Sequence, residues 1–351
     1  PDEASLTSTP WMAGVFHSMV TQGHVGINRF LSTVRGWLGQ FRSQGLRLFV
    51  QTDGRWHLLG VPSAFEMRPA ACRWIYKRAG GVIEVVADAH RDAHGLGLRV
   101  GVLAGPPLAM LASLHVALAG EDGGSAHWLI DEQGVFVTVA PGSGLAERFP
   151  GGGFRIAPTP GSRFDRVGGD ELLFEDGGSR DLPFVCIGCD AAAEFGLTVR
   201  GELIAASPSA SAVLQAPRWK TPDAQAAQLA DIVPWYLHNA LVHYLSPRGL
   251  EQFTGGGWGT RDVCQGPLEM LLALGRPEPG RDLLLRVFAA QNADGDWPQW
   301  FMFFERERDI RAGDSHGDIV FWPLLGLARY LLATEDGALL DVLLGEAHGR
   351  G

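Results

Sequence analysis

The sequence predicts an α+β protein of more than one domain, an N-terminal antiparallel β-sandwich followed by a helical array. Three observations carry this. The N-terminal part repeats a strand–turn–strand pattern with Gly-rich turns. Past about residue 205 the apolar spacing changes to a helical period. At 351 residues and 46% hydrophobic, the chain has material for about two cores.

The elements follow in order. Leu46 to Val50 and Arg55 to Leu59 flank Thr52-Asp53-Gly54, and Asp-Gly between strand-like runs favours a tight primed turn. Cys72 to Tyr76, Gly80-Gly81 and Val82 to Val86 repeat the pattern, as do His127 to Ile130, Asp131 to Gly134 and Val135 to Val139. Leu98 to Leu103, Phe184 to Ile187 and Leu197 to Leu203 read as further strands, while Pro10 to Val34 is less regular and has room for a helix. Ala206 to Thr221, rich in Ser, Ala and Pro, reads as a linker. Thr221-Pro222-Asp223 then reads as a helix start, with Thr221 as cap and Pro222 in the first helical position. Apolar spacing runs on to Tyr244, with Pro234 placed to kink or split that helix. Gly266 to Leu274, Arg281 to Gln291, Ile319 to Ala333 and Ala338 to Leu344 are further helices. The expected division is a sandwich over 1–205, a helical connection over 206–246 and a helical domain over 247–351.

Composition narrows the function. A net charge of −10 disfavours binding to a phosphate backbone, so nucleic acid is not an expected partner. No run approaches about 18 apolar residues, so no membrane-spanning helix is predicted. Four cysteines are too few for a disulfide scaffold and fit a reducing compartment. Eleven tryptophans suit either sugar-ring platforms or core packing.

Three segments carry chemistry. The first, Gly255-Gly256-Gly257-Trp258-Gly259-Thr260-Arg261-Asp262, brings a Gly-rich run to an Arg-Asp pair at a helix start. Arg is a planar fork of donors and Asp accepts hydroxyl donors, which together suit a polyhydroxyl ring with Trp258 as a stacking face. The plainer alternative is that Asp262 caps the helix and pairs with Arg261. The second, Gln291 to Trp300, sets Asp296, Trp297, Gln299 and Trp300 after a helix. The alternative there is a capped turn over two packed tryptophans. In the third, Asp314 to Pro323, His316 is a candidate ligand contact, and Asp318 is a candidate hydroxyl acceptor or an N-cap.

Other signals are weak. Cys186 and Cys189 have CxxC spacing without a second pair, and His90 and His94 lack the Glu of HExxH, so no metal site is expected. No Walker A, GxGxxG or nucleophile-elbow pattern is present.

Taken together, the three segments resemble glycoside hydrolase family 94. That family comprises the cellobiose and chitobiose phosphorylases and the phosphorylase-like domain of cyclic β-1,2-glucan synthases. Its Gly-Phe-Arg-Asp-x-x-Gln-Asp is similar to Gly259-Thr260-Arg261-Asp262-Val263-Cys264-Gln265-Gly266. Its Gln, Gly-Asp and aromatic cluster resemble Gln291, Gly295-Asp296 and Trp297 to Phe304. Its Ser-Asp-Asp before aromatic-Leu-Pro resembles His316-Gly317-Asp318 before Phe321-Trp322-Pro323. The similarity spans about residues 220 to 345 in unchanged order.

The resemblance implies a galactose mutarotase-like sandwich joined to an (α/α)6 barrel. It also implies inverting phosphorolysis of β-linked gluco-oligosaccharides to a sugar 1-phosphate, with inorganic phosphate as cosubstrate and no metal or other cofactor. By the same resemblance Arg261 and Asp262 hold the reacting sugar, Asp318 and Trp297 to Trp300 line its pocket, and a homodimer is expected, as phosphorylases of the family are often dimers; the few cysteines and the phosphate chemistry point to the cytoplasm. The chain departs from the family at Gly255, where the disaccharide phosphorylases have Arg, and at Gly266 and Gly317, where the family has Asp. The family's general acid is the Asp of a Trp-Asn-Asp motif, which this sequence lacks. A barrel also needs about twelve helices, more than the residues after 220 supply at about 11 to 12 residues each. The expectation is therefore a fragment of a longer enzyme whose catalytic acid lies outside this chain. The alternative is a non-catalytic carbohydrate-binding or accessory protein.

Overall fold

The computed structural model describes residues 20–22, 25–27, 46–68, 71–89, 95–116, 127–138, 140–142, 146–147, 153–201, 220–244, 257–302, 309–312 and 317–348. The chain divides into two compact units, Pro1–Pro208 and Ser209–Gly351.

In the first unit a short hairpin, β1 (Val20–Gln22) and β2 (Val25–Ile27), precedes two large antiparallel sheets. In chain order their strands are β3 (Leu46–Thr52), β4 (Arg55–Leu58), β5 (Ala64–Arg68), β6 (Ala71–Arg78), β7 (Gly81–Ala89), β8 (Gly95–Ala104) and β9 (Leu108–His115). They continue as β10 (His127–Asp131), β11 (Gly134–Thr138), β12 (Gly153–Pro158), β13 (Arg166–Gly168), β14 (Phe184–Ala192) and β15 (Glu194–Gly201). The eight-stranded sheet has the order β10-β11-β12-β15-β8-β7-β6-β5 and the five-stranded sheet the order β13-β14-β9-β3-β4.

The two sheets share one core. Strand side chains alternate between faces, so β3 turns Leu46, Leu48 and Val50 inward to meet Trp74, Val85, Leu98, Phe154 and Phe195 of the larger sheet. The three hairpins read from the sequence are present, and the β3–β4 turn holds Asp53 and Gly54 at φ 52° and 77°, a geometry glycine adopts without strain. The outer face of the smaller sheet is covered by a 3-10 turn, Asp170–Leu173, and the segment up to Leu182. Buried Asp170 anchors that segment by accepting from Ser179 Oγ (2.6 Å) and from the backbone N–H groups of Arg180 (2.7 Å) and Leu182 (3.3 Å).

The CxxC cysteines sit three residues apart on β14, so they face opposite ways: Cys186 packs in the outer cluster and Cys189 in the sandwich core. All four cysteines are free and buried. Among the described residues, no group of His, Cys, Asp and Glu is arranged to hold a metal ion. His90 and His94 lie outside the described residues.

The second unit contains α1 (Ala224–Tyr244), β16 (Gly257–Gly259), α2 (Thr260–Cys264), α3 (Gly266–Ala273), α4 (Pro277–Ala289), β17 (Trp300–Met302), α5 (Phe321–Thr334) and α6 (Ala338–His348). The start of α1 corrects the sequence expectation. Asp223, not Thr221, is the cap: its Oδ1 accepts from Gln225 N at 2.8 Å, while Thr221 Oγ1 accepts from Asp223 N at 3.1 Å. Pro222 therefore precedes the helix, and Pro234 lies inside one continuous α1.

Helices α3 to α6 pack around Leu268, Leu284, Tyr330 and Leu339. Gly326 permits the close approach of α5, since a Cβ there would lie 3.0 Å from Leu268 Cδ2. Asp336 ties α4 to α5, accepting from Arg281 Nε and Tyr330 Oη, each at 3.0 Å. No described helix is long and apolar enough to cross a membrane. Most of Pro10 to Val34 and the linker over 206–219 lie outside the described residues.

Candidate functional site

The three sequence segments meet in the second unit. Strand β16 pairs antiparallel with β17, placing Gly257 opposite Met302, Trp258 opposite Phe301 and Gly259 opposite Trp300. This ladder joins the Gly-rich run to the aromatic run. Two bonds reinforce it: Thr260 N donates to Gln299 O (3.0 Å), and buried Thr260 Oγ1 donates to Pro298 O (2.6 Å). Arg261 closes the third side, its Nη1 donating to Asp318 Oδ1 at 3.3 Å.

The floor beneath these polar groups is apolar: Trp258, Val263, Cys264, Leu283, Val287, Trp297, Phe301 and Ile319 form one buried cluster. Burial pushes the Cys264 thiol up to about 12, so it is inert packing. The two tryptophans expected to offer ring faces are spent here. Trp258 is 3% exposed and meets Phe301 edge-on at 6.1 Å. Trp297 is 1% exposed, donates Nε1–H to Val287 O at 2.9 Å and meets Phe288 edge-on. Packing in the core thus replaces the stacking role expected of both residues. Trp300 is half-buried at the start of β17, and Gln299 beside it is exposed.

The carboxylates also depart from the simpler expectations. Asp262 neither caps α2 nor pairs with Arg261. The cap position is Gly259, with no side-chain bond, and Arg261 reaches Asp318 instead. Half-buried Asp262 makes no side-chain hydrogen bond or ion pair among the described residues, so its oxygens are available to a ligand. Asp318 does not cap α5 with its side chain, because the helix begins at Phe321 with Val320 as its cap residue. Instead Asp318 Oδ2 accepts from Trp322 Nε1 at 2.9 Å. That bond, followed by its own backbone N–H and then the Arg261 guanidinium, holds the Asp318 carboxyl below the usual carboxylate range. Asp296 is half-buried and turned toward its own loop, its Oδ1 accepting from Asn292 Nδ2 at 2.6 Å. His316 lies outside the described residues, as does Gly255. Gly317 adopts φ 65°, the left-handed region, which suits glycine at the family's Asp position.

Two residues with clear roles were missed by sequence reasoning. Thr260 was quoted in the motif without a role, yet it fastens two segments. Trp322 was quoted without a role, although its i+4 spacing from Asp318 at a helix start signals an indole-to-carboxylate bond.

The arrangement offers one guanidinium, two acidic acceptors, an amide and a partly open indole above an apolar floor. Groups of this kind can donate to and accept from hydroxyl groups.

The chain is 31% identical over 357 residues to a 1,2-beta-oligoglucan phosphorylase of Listeria innocua, which covers 97% of this chain and 32% of the relative. The chain thus spans about a third of the length of that curated relative. Among solved structures, a polysaccharide lyase aligns with 47% of this chain and 26% of its own, at 8% identity and a TM-score of 0.29. The family described as the glycoside phosphorylase supersandwich domain matches residues 1–201, the whole sandwich unit up to the end of β15, and the chain belongs to that family.

Proposed function

We propose that this protein acts in phosphorolysis of β-1,2-linked gluco-oligosaccharides, with the three-segment site holding the sugar whose anomeric carbon reacts. The observation that carries the reading is the Arg261–Asp318 bridge beside the unengaged Asp262. Three distant segments converge there on groups suited to sugar hydroxyls. Arg261 donates, Asp262 and Asp318 accept, and Gln299 and Trp300 flank them; Asp296 supports the turn that presents the last two. Inorganic phosphate is the cosubstrate in this reading, attacking the anomeric carbon opposite the departing oxygen, so the configuration inverts. Asp318 is committed as an acceptor and is not assigned the acid's role; the acid is left unassigned.

The helices of the second unit are read as part of an (α/α)6 barrel, and the sandwich as galactose mutarotase-like. A homodimer and a cytoplasmic location complete the proposal, the latter supported by four free thiols.

The test is incubation with a β-1,2-linked glucose trisaccharide, with and without phosphate. Phosphate-dependent release of glucose 1-phosphate supports the proposal. Free glucose released in phosphate-free buffer contradicts phosphorolysis. Saturable binding without turnover favours the alternative, a non-catalytic carbohydrate-binding module.

A further inference from the structure

We infer that Trp322 is a positioning residue that orients the Asp318 carboxylate for a sugar hydroxyl, an inference that rests on the proposed sugar site. Asp318 stands on the turn before α5 and is 52% exposed, a setting in which a carboxylate ordinarily samples several rotamers. Here two side chains donate to it, Trp322 Nε1 at 2.9 Å on Oδ2 and Arg261 Nη1 at 3.3 Å on Oδ1, beside its own backbone N–H.

The two donors differ in rigidity. Arg261 is 49% exposed on a long side chain, so its reach is adaptable. Trp322 is half-buried and packs its ring against the cluster of Val263, Cys264 and Ile319. The indole therefore fixes the carboxylate plane to the core. A carboxylate accepts about four hydrogen bonds, so acceptor capacity stays open on this half-exposed group. That capacity is aimed by a half-buried ring packed on the core rather than by a flexible side chain, which lowers the ordering cost of binding a hydroxyl.

The decisive variant is Trp322→Phe, which keeps an aromatic ring in the cluster and removes the N–H. Binding of a β-1,2-linked glucose trisaccharide, followed by calorimetry, is expected to weaken about five- to tenfold with the melting temperature little changed. Removing this donor is expected to move the acid limb of binding to higher pH. Among the described residues, Arg261 on α2 is the charged group acting on Asp318. In an Asp318→Asn background, adding Trp322→Phe should cause no further loss. The Trp322 indole N–H resonance should follow a titration that vanishes in Asp318→Asn, a readout that needs no ligand.

Wild-type binding with unchanged affinity in Trp322→Phe overturns this inference alone, as does a full further loss in the Asp318→Asn background. Absence of binding by the wild-type protein overturns the sugar-site reading and, with it, the positioning role.

Discussion

Along β5, β6, β7 and β8 each strand hydrogen-bonds to its successor in the chain, and Gly80-Gly81 marks the turn between β6 and β7. The site in the second unit is built the other way. Thr260 reaches Pro298, 38 positions on, and Arg261 reaches Asp318, 57 positions on. In the sandwich, apolar alternation alone sends Trp74, Leu98 and Phe195 inside. In the site, polar side chains sit at segment junctions where no periodicity instructs them. The sandwich is thus held by area, and the site by a few directed bonds over a small floor.

The largest expected effect sharpens the first half of that contrast. Phe195→Ala, at a position 1% exposed in the sandwich core, should cost about 3–5 kcal/mol of stability in denaturant unfolding. A loss below about 1 kcal/mol would mean that the two sheets do not share a close-packed core. In the second unit, Thr260→Val leaves the Pro298 carbonyl without its 2.6 Å donor and should cost about 1–3 kcal/mol. The ladder between β16 and β17 should loosen with it, seen as faster amide exchange at Phe301. Gly326→Val, pressing on Leu268 from 3.0 Å, should cost about 1–3 kcal/mol through overpacking, measured by the same unfolding experiment.

Acid separates the two regions as well. His115 on β9 is 6% exposed, and burial, followed by the Arg47 charge, lowers its pKa from 6.5 to about 4. The unfolded state then binds more protons between those values, so stability is full above about 6.5 and declines as pH falls toward about 4. His115→Gln should flatten that slope. Asp318 behaves oppositely in origin: a donor and a cation hold its carboxyl low, so its acceptor role persists to below the ordinary carboxylate range and fails only under stronger acid. Unfolding and binding profiles that fell together over the same pH range would break the contrast.

Much of the fold was legible in the sequence. The three hairpins stand where Asp53-Gly54, Gly80-Gly81 and Asp131 to Gly134 between alternating strands place them, because short turns fix register locally. The helix start at Asp223 was misread by two positions, since Thr221, Pro222 and Asp223 all carry cap-compatible chemistry and only the bond to Gln225 decides between them. The site was legible as three segments that belong together. It was not legible which tryptophans would be buried, because a ring suited to a sugar is equally suited to a core. Trp258 and Trp297 went to the core because β16 pairs with β17 and α4 supplies Val287 O, contacts between residues distant in sequence.

The central claim is that Arg261, Asp262 and Asp318 form one sugar-holding site. Calorimetric binding of a β-1,2-linked glucose trisaccharide to the wild-type chain and to Asp262→Ala tests it most directly, because Asp262 bonds to no described side chain and its loss should spare the fold. The account predicts saturable binding that weakens at least about tenfold in the variant at an unchanged melting temperature. Equal affinity in the two proteins would contradict it.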